Sequence, residues 1–276
     1  MGPEALRRFL ARHGLKAEKA LGQHFLASPR VVEAIVEACS DLQGILEVGP
    51  GPGILTGPLS DAHPVTAIEL DTRMPILLRD SAPSAQVVIG DALEADLGAL
   101  LDDLPGPRGL VSNIPYYITG PLLERFAAVR GRYSKAVIMV QREVATRLTA
   151  KPGHADRGAL SVLLQAEFKI TMVAQAPASC FLPPPKVDST VLSLVPRSES
   201  AEPIRNLVRL GFTQRRKTLA NNLAGTYGGR DAMEDLLHEL GIDVQARAQE
   251  LSEREWLNLV KALGPPTSVG ASIEQG

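Results

Sequence analysis

Cysteine is scarce in this 276-residue chain: Cys39 and Cys180 are the only two, too few for a disulfide framework and without metal-ligand spacing. The five histidines, His13, His24, His63, His154 and His238, are scattered with no H-x-x-x-H pair, so no metal centre is expected. Long hydrophobic runs are missing as well. Stretches such as Ala136–Val140 fall far short of the ~18 apolar residues that cross a bilayer. The N-terminus carries Arg7, Arg8 and Arg12 but lacks the apolar run of about 7–15 residues found in a secretory signal, and a cytoplasmic protein is expected. No sustained heptad pattern asks for a coiled-coil partner, so a monomer is expected.

What remains is an ordinary globular composition, 45% hydrophobic and 22% charged, which argues against disorder. Charge is unevenly spread along it. The net formal charge is +4 over residues 1–30, −11 over 31–104, +10 over 105–217 and −5 over 218–276. A protein that holds a polyanion with one face while keeping another acidic has this distribution, because Lys and Arg contacts to phosphates release counterions. An uneven solvated surface would have it too.

Short apolar runs at Ile45–Val48, Val65–Glu69, Val87–Ile89, Leu110–Ser112 and Ala136–Val140 have the pattern of buried parallel strands. Helical spacing separates them at Val31–Cys39, around Arg73–Arg79, at Pro121–Ala128 and at Glu143–Leu148. Strands alternating with helices predict an α/β, doubly wound parallel sheet. Phe168–Ala174 and Val187–Val195, separated by the proline-rich Pro177–Pro185, read as an antiparallel hairpin closing one sheet edge. After a polar linker beginning at Ser198 the pattern turns helical, at Pro203–Phe212, Arg216–Ala224, Asp231–Leu240 and Ser252–Leu263. The expected organisation is therefore a basic N-terminal extension (1–30), a sheet domain (31–197), a small all-helical domain (198–264) and a disordered tail (265–276).

Four motifs fall at the ends of the expected strands. Glu47-Val48-Gly49-Pro50-Gly51 follows the first, where glycines let a ligand approach the backbone. The spacing departs from the dinucleotide pattern G-x-G-x-x-G, since Gly53 comes one residue early, and Glu47 is a poor neighbour for phosphate. It suits the cationic end of S-adenosyl-L-methionine (SAM); a generic tight turn would also carry these glycines. Glu69, twenty residues past Gly49, can accept both hydroxyls of an adenosine ribose, and Asp91, with Ala92 beside it, is placed to accept from an adenine amine. Singly, each carboxylate reads as a strand-end or N-cap residue. Three at one sheet edge point to a ligand, because open α/β sheets bind there.

The fourth motif is Asn113-Ile114-Pro115-Tyr116-Tyr117. An exocyclic base amine has its lone pair delocalised into the ring, so it attacks a sulfonium only when acceptors favour its pyramidal form and the base is held flat. Asn113 Oδ1 and the Ile114 carbonyl can be those acceptors, Pro115 stiffens the bend, and Tyr116 offers a stacking face worth about 1–3 kcal/mol per base. Such a base must first leave its stack. An ordinary proline turn with two surface tyrosines is the alternative.

These segments occur in order with Gly22-Gln23-His24-Phe25-Leu26, Gln141-Arg142-Glu143-Val144-Ala145, Phe181-Leu182-Pro183-Pro184-Pro185-Lys186-Val187-Asp188-Ser189 and Phe212-Thr213-Gln214-Arg215-Arg216-Lys217-Thr218-Leu219. Together, over roughly residues 15–263, they resemble the bacterial small-subunit (16S) rRNA adenine N6,N6-dimethyltransferase family (KsgA/RsmA). The resemblance implies a Rossmann-like class I SAM-dependent methyltransferase sheet with a helical C-terminal domain. His24, Leu26, Gly49, Glu69, Asp91 and Asn113 would then contact SAM, while Asn113, Ile114 and Tyr116 would hold the target adenine and Phe181 would stack on its other face. Where the family usually has Asn, this chain has His24, whose imidazole can still donate to the cofactor carboxylate. The implied substrate is a pair of adjacent adenines in the 3′-terminal hairpin loop of 16S rRNA, presented by an immature small ribosomal subunit, with Arg205, Arg209, Arg215, Arg216 and Lys217 docking on RNA. Two readings stand beside it: a 23S rRNA adenine methyltransferase of the macrolide-resistance type, and a ribosome-assembly binding factor on a methyltransferase fold.

Overall fold

The computed structural model describes residues 1–16 and 23–264. Gly22 and the expected disordered tail lie outside the described residues.

The chain divides into two compact units, residues 1–145 with 168–196, and residues 146–167 with 197 onward. The first is built on a seven-stranded sheet. Its strands are β2 (Gly44–Val48), β3 (Val65–Glu69), β4 (Gln86–Ile89), β5 (Arg108–Asn113), β6 (Lys135–Gln141), β7 (Phe168–Ala176) and β9 (Ser189–Pro196), in the order β4-β3-β2-β5-β6-β9-β7. A separate two-stranded ladder joins β1 (Phe25–Leu26) to β8 (Phe181–Leu182). Strands β2 to β6 pair in parallel. The five residues of β2 and of β3 are all buried, the signature of central parallel strands covered on both faces.

β3 and β4 lie to one side of β2 and β5 and β6 to the other, so the winding reverses between β2 and β5 and opens a crevice at the strands' carboxyl ends. The expected hairpin is present, with one difference. β9 pairs with both β6 and β7, which puts β7 at the edge. Residues 1–30 are more than an extension: helix Pro3–Arg12 packs Leu6, Phe9 and Leu10 into the same core as the sheet. Both cysteines are free. Burial pushes the Cys39 thiol up to about 12, making it an inert core residue.

The second unit is helical: Ala159–Glu167, Glu202–Gly211, Leu219–Leu223, Arg230–Glu239 and Glu253–Leu263. Ser252 and Glu255 form a capping box that starts the last helix, and its Trp256, fully buried, stacks on Phe212 with ring centroids 6.3 Å apart. The unit begins earlier than the linker at Ser198 suggests. Residues 146–167 belong to it, and Val162, Leu163 and Ala166 share one apolar cluster with Ile204, Leu207 and Leu259. Arg157 links the two stretches. Its side chain is wholly buried, it forms an ion pair with Glu253, and it donates to the carbonyls of Gln249 and Leu251. Among the described residues, no helix is long and apolar enough to cross a membrane.

Arg157→Ala removes every one of these bonds and leaves buried carbonyls unsatisfied. We expect a loss of about 2–4 kcal/mol in the unfolding of the helical unit by denaturant, and an unchanged midpoint would refute the linking role.

Candidate active site

The carboxyl ends of β2, β3 and β5 and the turn after β4 line one cleft, with ≈ 1090 Å³ of empty space that includes its open mouth. Twelve of the expected site residues line it: His24, Leu26, Glu47, Gly49, Gly51, Glu69, Asp91, Ala92, Asn113, Ile114, Pro115 and Tyr116.

The glycine turn owes its shape to left-handed backbone. Gly49 and Gly51 have φ of 73° and 54°, a region side chains rarely allow, and a Cβ at Gly49 would meet nothing within 4 Å. The turn is anchored by Glu69, whose Oε2 accepts from the Gly51 amide (2.9 Å) and whose Oε1 accepts from the Asp71 amide (2.8 Å). Burial raises the Glu69 pKa, and those amides oppose the rise. Asp71, not among the expected residues, accepts from Gln23 (2.8 Å) and from both ends of the Arg73 guanidinium, which holds its carboxyl down at about 2. Its place two residues after Glu69, just past the strand end, is the signal for it in the sequence.

Glu47 is buried at the cleft without full compensation of its carboxyl group. It is 1% exposed, its Oε2 has no hydrogen-bond partner, and burial pushes its pKa up to about 8, with the Glu69 charge adding to the rise and the Thr56 hydroxyl opposing it. An orphaned carboxylate oxygen bordering a cleft with open space at Gly49 fits the cationic end of a sulfonium cofactor. Asp91 is half-buried and spends Oδ1 on the Leu93 amide (2.8 Å), leaving Oδ2 for a ligand.

On the other side of the switch point, the Ile114 amide donates to the Met139 carbonyl on the neighbouring strand (3.0 Å), and a 3-10 turn follows at Tyr116–Ile118. Asn113 Nδ2 donates to the His24 carbonyl (3.4 Å), so Oδ1 is the acceptor left for a substrate amine. Tyr116 is fixed at its hydroxyl by Ser189 Oγ (2.8 Å), a β9 residue that ends the Phe181–Ser189 motif and for which the sequence alone suggests no role. Tyr117 also lines the cleft and is 58% exposed.

Two expectations need correction. Phe181 does not line the cleft: pairing of β8 with β1 turns it into the core, where it is 4% exposed. The ring beside Tyr116 is His24, stacked at 5.9 Å between centroids and 23° between planes. His24 Nδ1 donates to the Pro183 carbonyl (2.8 Å), which leaves the neutral ring a bare Nε2. Only the charged imidazolium can then donate to a cofactor carboxylate, where an Asn amide could donate in any state.

In the helical unit, Arg205 pairs with Glu202 (3.0 Å) and is only 25% exposed, and Arg215 donates through Nη2 to the carbonyls of Ala155 (2.6 Å) and Arg157 (3.0 Å). These two guanidiniums serve the fold first. Arg209 is exposed on the helix Glu202–Gly211, and Arg216 and Lys217 are exposed with no ion pair among the described residues.

The sequence profile of the family described as ribosomal RNA adenine dimethylase matches residues 14–264. A Nostoc protein named ribosomal RNA small subunit methyltransferase A is 39% identical over 91% of this chain and 99% of its own. Two crystal structures are similar: a dimethyladenosine transferase from Plasmodium falciparum (27% identity, TM-score 0.72, covering 86% of this chain and 96% of that one) and the 23S rRNA methyltransferase ErmE (28%, 0.66, 87% and 99%). Agreement of this extent, across both units, goes beyond a shared sheet: the chain belongs to the ribosomal RNA adenine dimethylase family and is a SAM-dependent methyltransferase.

Proposed function

We propose that this enzyme dimethylates N6 of two adjacent adenines in the 3′-terminal hairpin loop of 16S rRNA, within an immature small subunit in the cytoplasm. The observation that carries the reading is the Asn113–Tyr116 bend, which opens on the same cleft as Glu47, Glu69 and Asp91. Relatives named for the small subunit and the Phe181–Ser189 and Gln214–Thr218 segments favour 16S over 23S rRNA.

Bound SAM supplies an electrophilic methyl on a cationic sulfur. The protein's part is to position. Glu69 accepts the ribose hydroxyls, Asp91 the adenine amine, and Glu47 faces the positive end. Asn113 Oδ1 and the Ile114 carbonyl draw the substrate N6 hydrogens out of the ring plane, and Tyr116, held by Ser189, keeps the flipped base flat. N6 gives up one proton for each methyl it gains, and water can take it, so no general base is required and alignment of amine and methyl is the main task. Arg216 and Lys217, exposed and without an ion pair among the described residues, are the first cations of the helical unit to hold RNA, with the exposed Arg209 of helix Glu202–Gly211 in support; Arg205 and Arg215 shape the fold of that unit.

Mass spectrometry of the 3′ fragment of 16S rRNA, after incubation of undermethylated small subunits with enzyme and SAM, should show four added methyl groups. Methylation of large subunits instead would shift the assignment to the 23S reading, and binding without turnover to the assembly-factor reading. Asn113→Ala should lower turnover by at least about a hundredfold while sparing RNA affinity, as expected for loss of a preorganised acceptor; near-normal rates would refute the clamp. Tyr116→Phe loses one hydrogen bond, worth about 0.5–1.5 kcal/mol, whereas Tyr116→Ala loses the stacking face too, so the alanine variant should be the slower in single-turnover assays.

The raised Glu47 pKa sets a further expectation. The folded protein keeps Glu47 protonated up to about 8, while the unfolded chain releases that proton near the ordinary value of 4.5. The folded state binds more protons between those limits, so the Glu47 contribution to stability falls as pH rises through them. A cationic cofactor favours the carboxylate, and its binding near neutral pH should release a proton into solution. Calorimetry in buffers of different ionisation enthalpy measures this release, and Glu47→Gln should abolish it.

A further inference from the structure

We infer that a second concavity of the sheet unit, a groove under the N-terminal helix Pro3–Arg12, receives the RNA strand flanking the target adenine. The groove encloses ≈ 970 Å³ of space open to solvent. Its floor is apolar, with Leu10 and Leu15 buried and Leu182 and Pro183 half-buried, and Arg7 and Lys16 stand at it as exposed cations.

Three observations carry the assignment, which rests on the rRNA-methylating reading above. The first is the selection of unpaired charge. Four basic residues are described before residue 17; Arg8 pairs with Glu4 (3.3 Å), and Arg12 lies 3.8 Å from Asp80 and over the Phe9 ring. Arg7 and Lys16, the two that line the groove, have no ion pair among the described residues. The second is continuity with the active site. Leu182 lines the groove and is the register partner of Phe25, which lines the cleft, so the two concavities share a wall one β-ladder thick, roughly 5 Å. Pro183, on the groove side, accepts from His24 on the cleft side (2.8 Å). The third is the pairing of surfaces: an aliphatic floor gives a base face hydrophobic cover, and the cations beside it give its phosphate a counter-charge. A nucleotide next to the flipped adenine has lost a stacking neighbour, and the groove replaces it.

The test compares full-length enzyme with an Arg7→Ala/Lys16→Ala variant and, as control, an Arg8→Ala/Arg12→Ala variant. Affinity for a hairpin RNA carrying the 16S 3′-terminal loop is measured across ionic strengths, together with SAM affinity. Two single-strand phosphate contacts contribute about 1.4 to the slope of log K against log salt, so over a fourfold rise in salt the wild type should lose roughly sevenfold more affinity than the Arg7/Lys16 variant. The control should keep the wild-type slope, and SAM affinity should be the same in all three. Photo-crosslinking from 4-thiouridine placed beside the target adenine should map to residues 7–16 or 182–183. An unchanged slope in the Arg7/Lys16 variant overturns the inference, as does loss of binding to whole subunits with no loss on the hairpin RNA, which would make the groove a protein contact. Wild-type methylation of the 16S adenines is scored in parallel, so failure of the groove is distinguishable from failure of the substrate assignment.

Discussion

The carboxylate of Glu69 is the fixed point on which the cleft is built. Placing a charge at the carboxyl end of a buried strand is costly, and it is tolerated because both oxygens accept backbone amides, from Gly51 in the turn after the adjacent strand β2 and from Asp71 in its own turn. The first of those bonds requires Gly51 to adopt φ of 54°, which explains the glycine there, and it bends the loop after β2 over the crevice. Gln23, Asp71 and Arg73 brace the same corner. Asn113 and Tyr116 arrive from the end of β5, the strand next to β2, so the strand-end carboxylates and the Asn113–Tyr116 bend line one cleft without any long connection.

Much of this was legible in the sequence because it is local. Parallel strands buried on both faces are apolar runs, and Val65–Glu69 matches its strand end for end. The cleft residues stand at strand ends because the fold puts ligand sites there, so motif and position agree. What was not legible depends on distant pairing. The two-residue strands Phe25–Leu26 and Phe181–Leu182 are too short for any period, and only their mutual register decides that Phe181 points into the core. Helix Ala159–Glu167 is buried on nearly every side, so it lacks the polar stripe by which an amphipathic helix is recognised.

Charge was legible as a count and not as a role. The basic residues of the helical unit look alike in sequence, yet Arg215 donates to two backbone carbonyls and Arg157 is sealed inside, while Arg216 and Lys217 face water. The same holds at the amino end, where acidic neighbours four residues away or on another helix decide which guanidinium is available. Apart from the i,i+4 pair of Glu4 and Arg8, partners of this kind are set by tertiary structure, and no window along the chain contains them.

The helical unit is assembled from two stretches of chain separated by β7, β8 and β9, and the guanidinium of Arg157 from the earlier stretch satisfies carbonyls of the later one. It therefore cannot be transplanted as a simple tail. Any exchange of this part between relatives, by recombination in nature or by a protein engineer making chimeras, must cut at three points, and a graft joined only near residue 198 would arrive with an empty socket where a buried cation belongs.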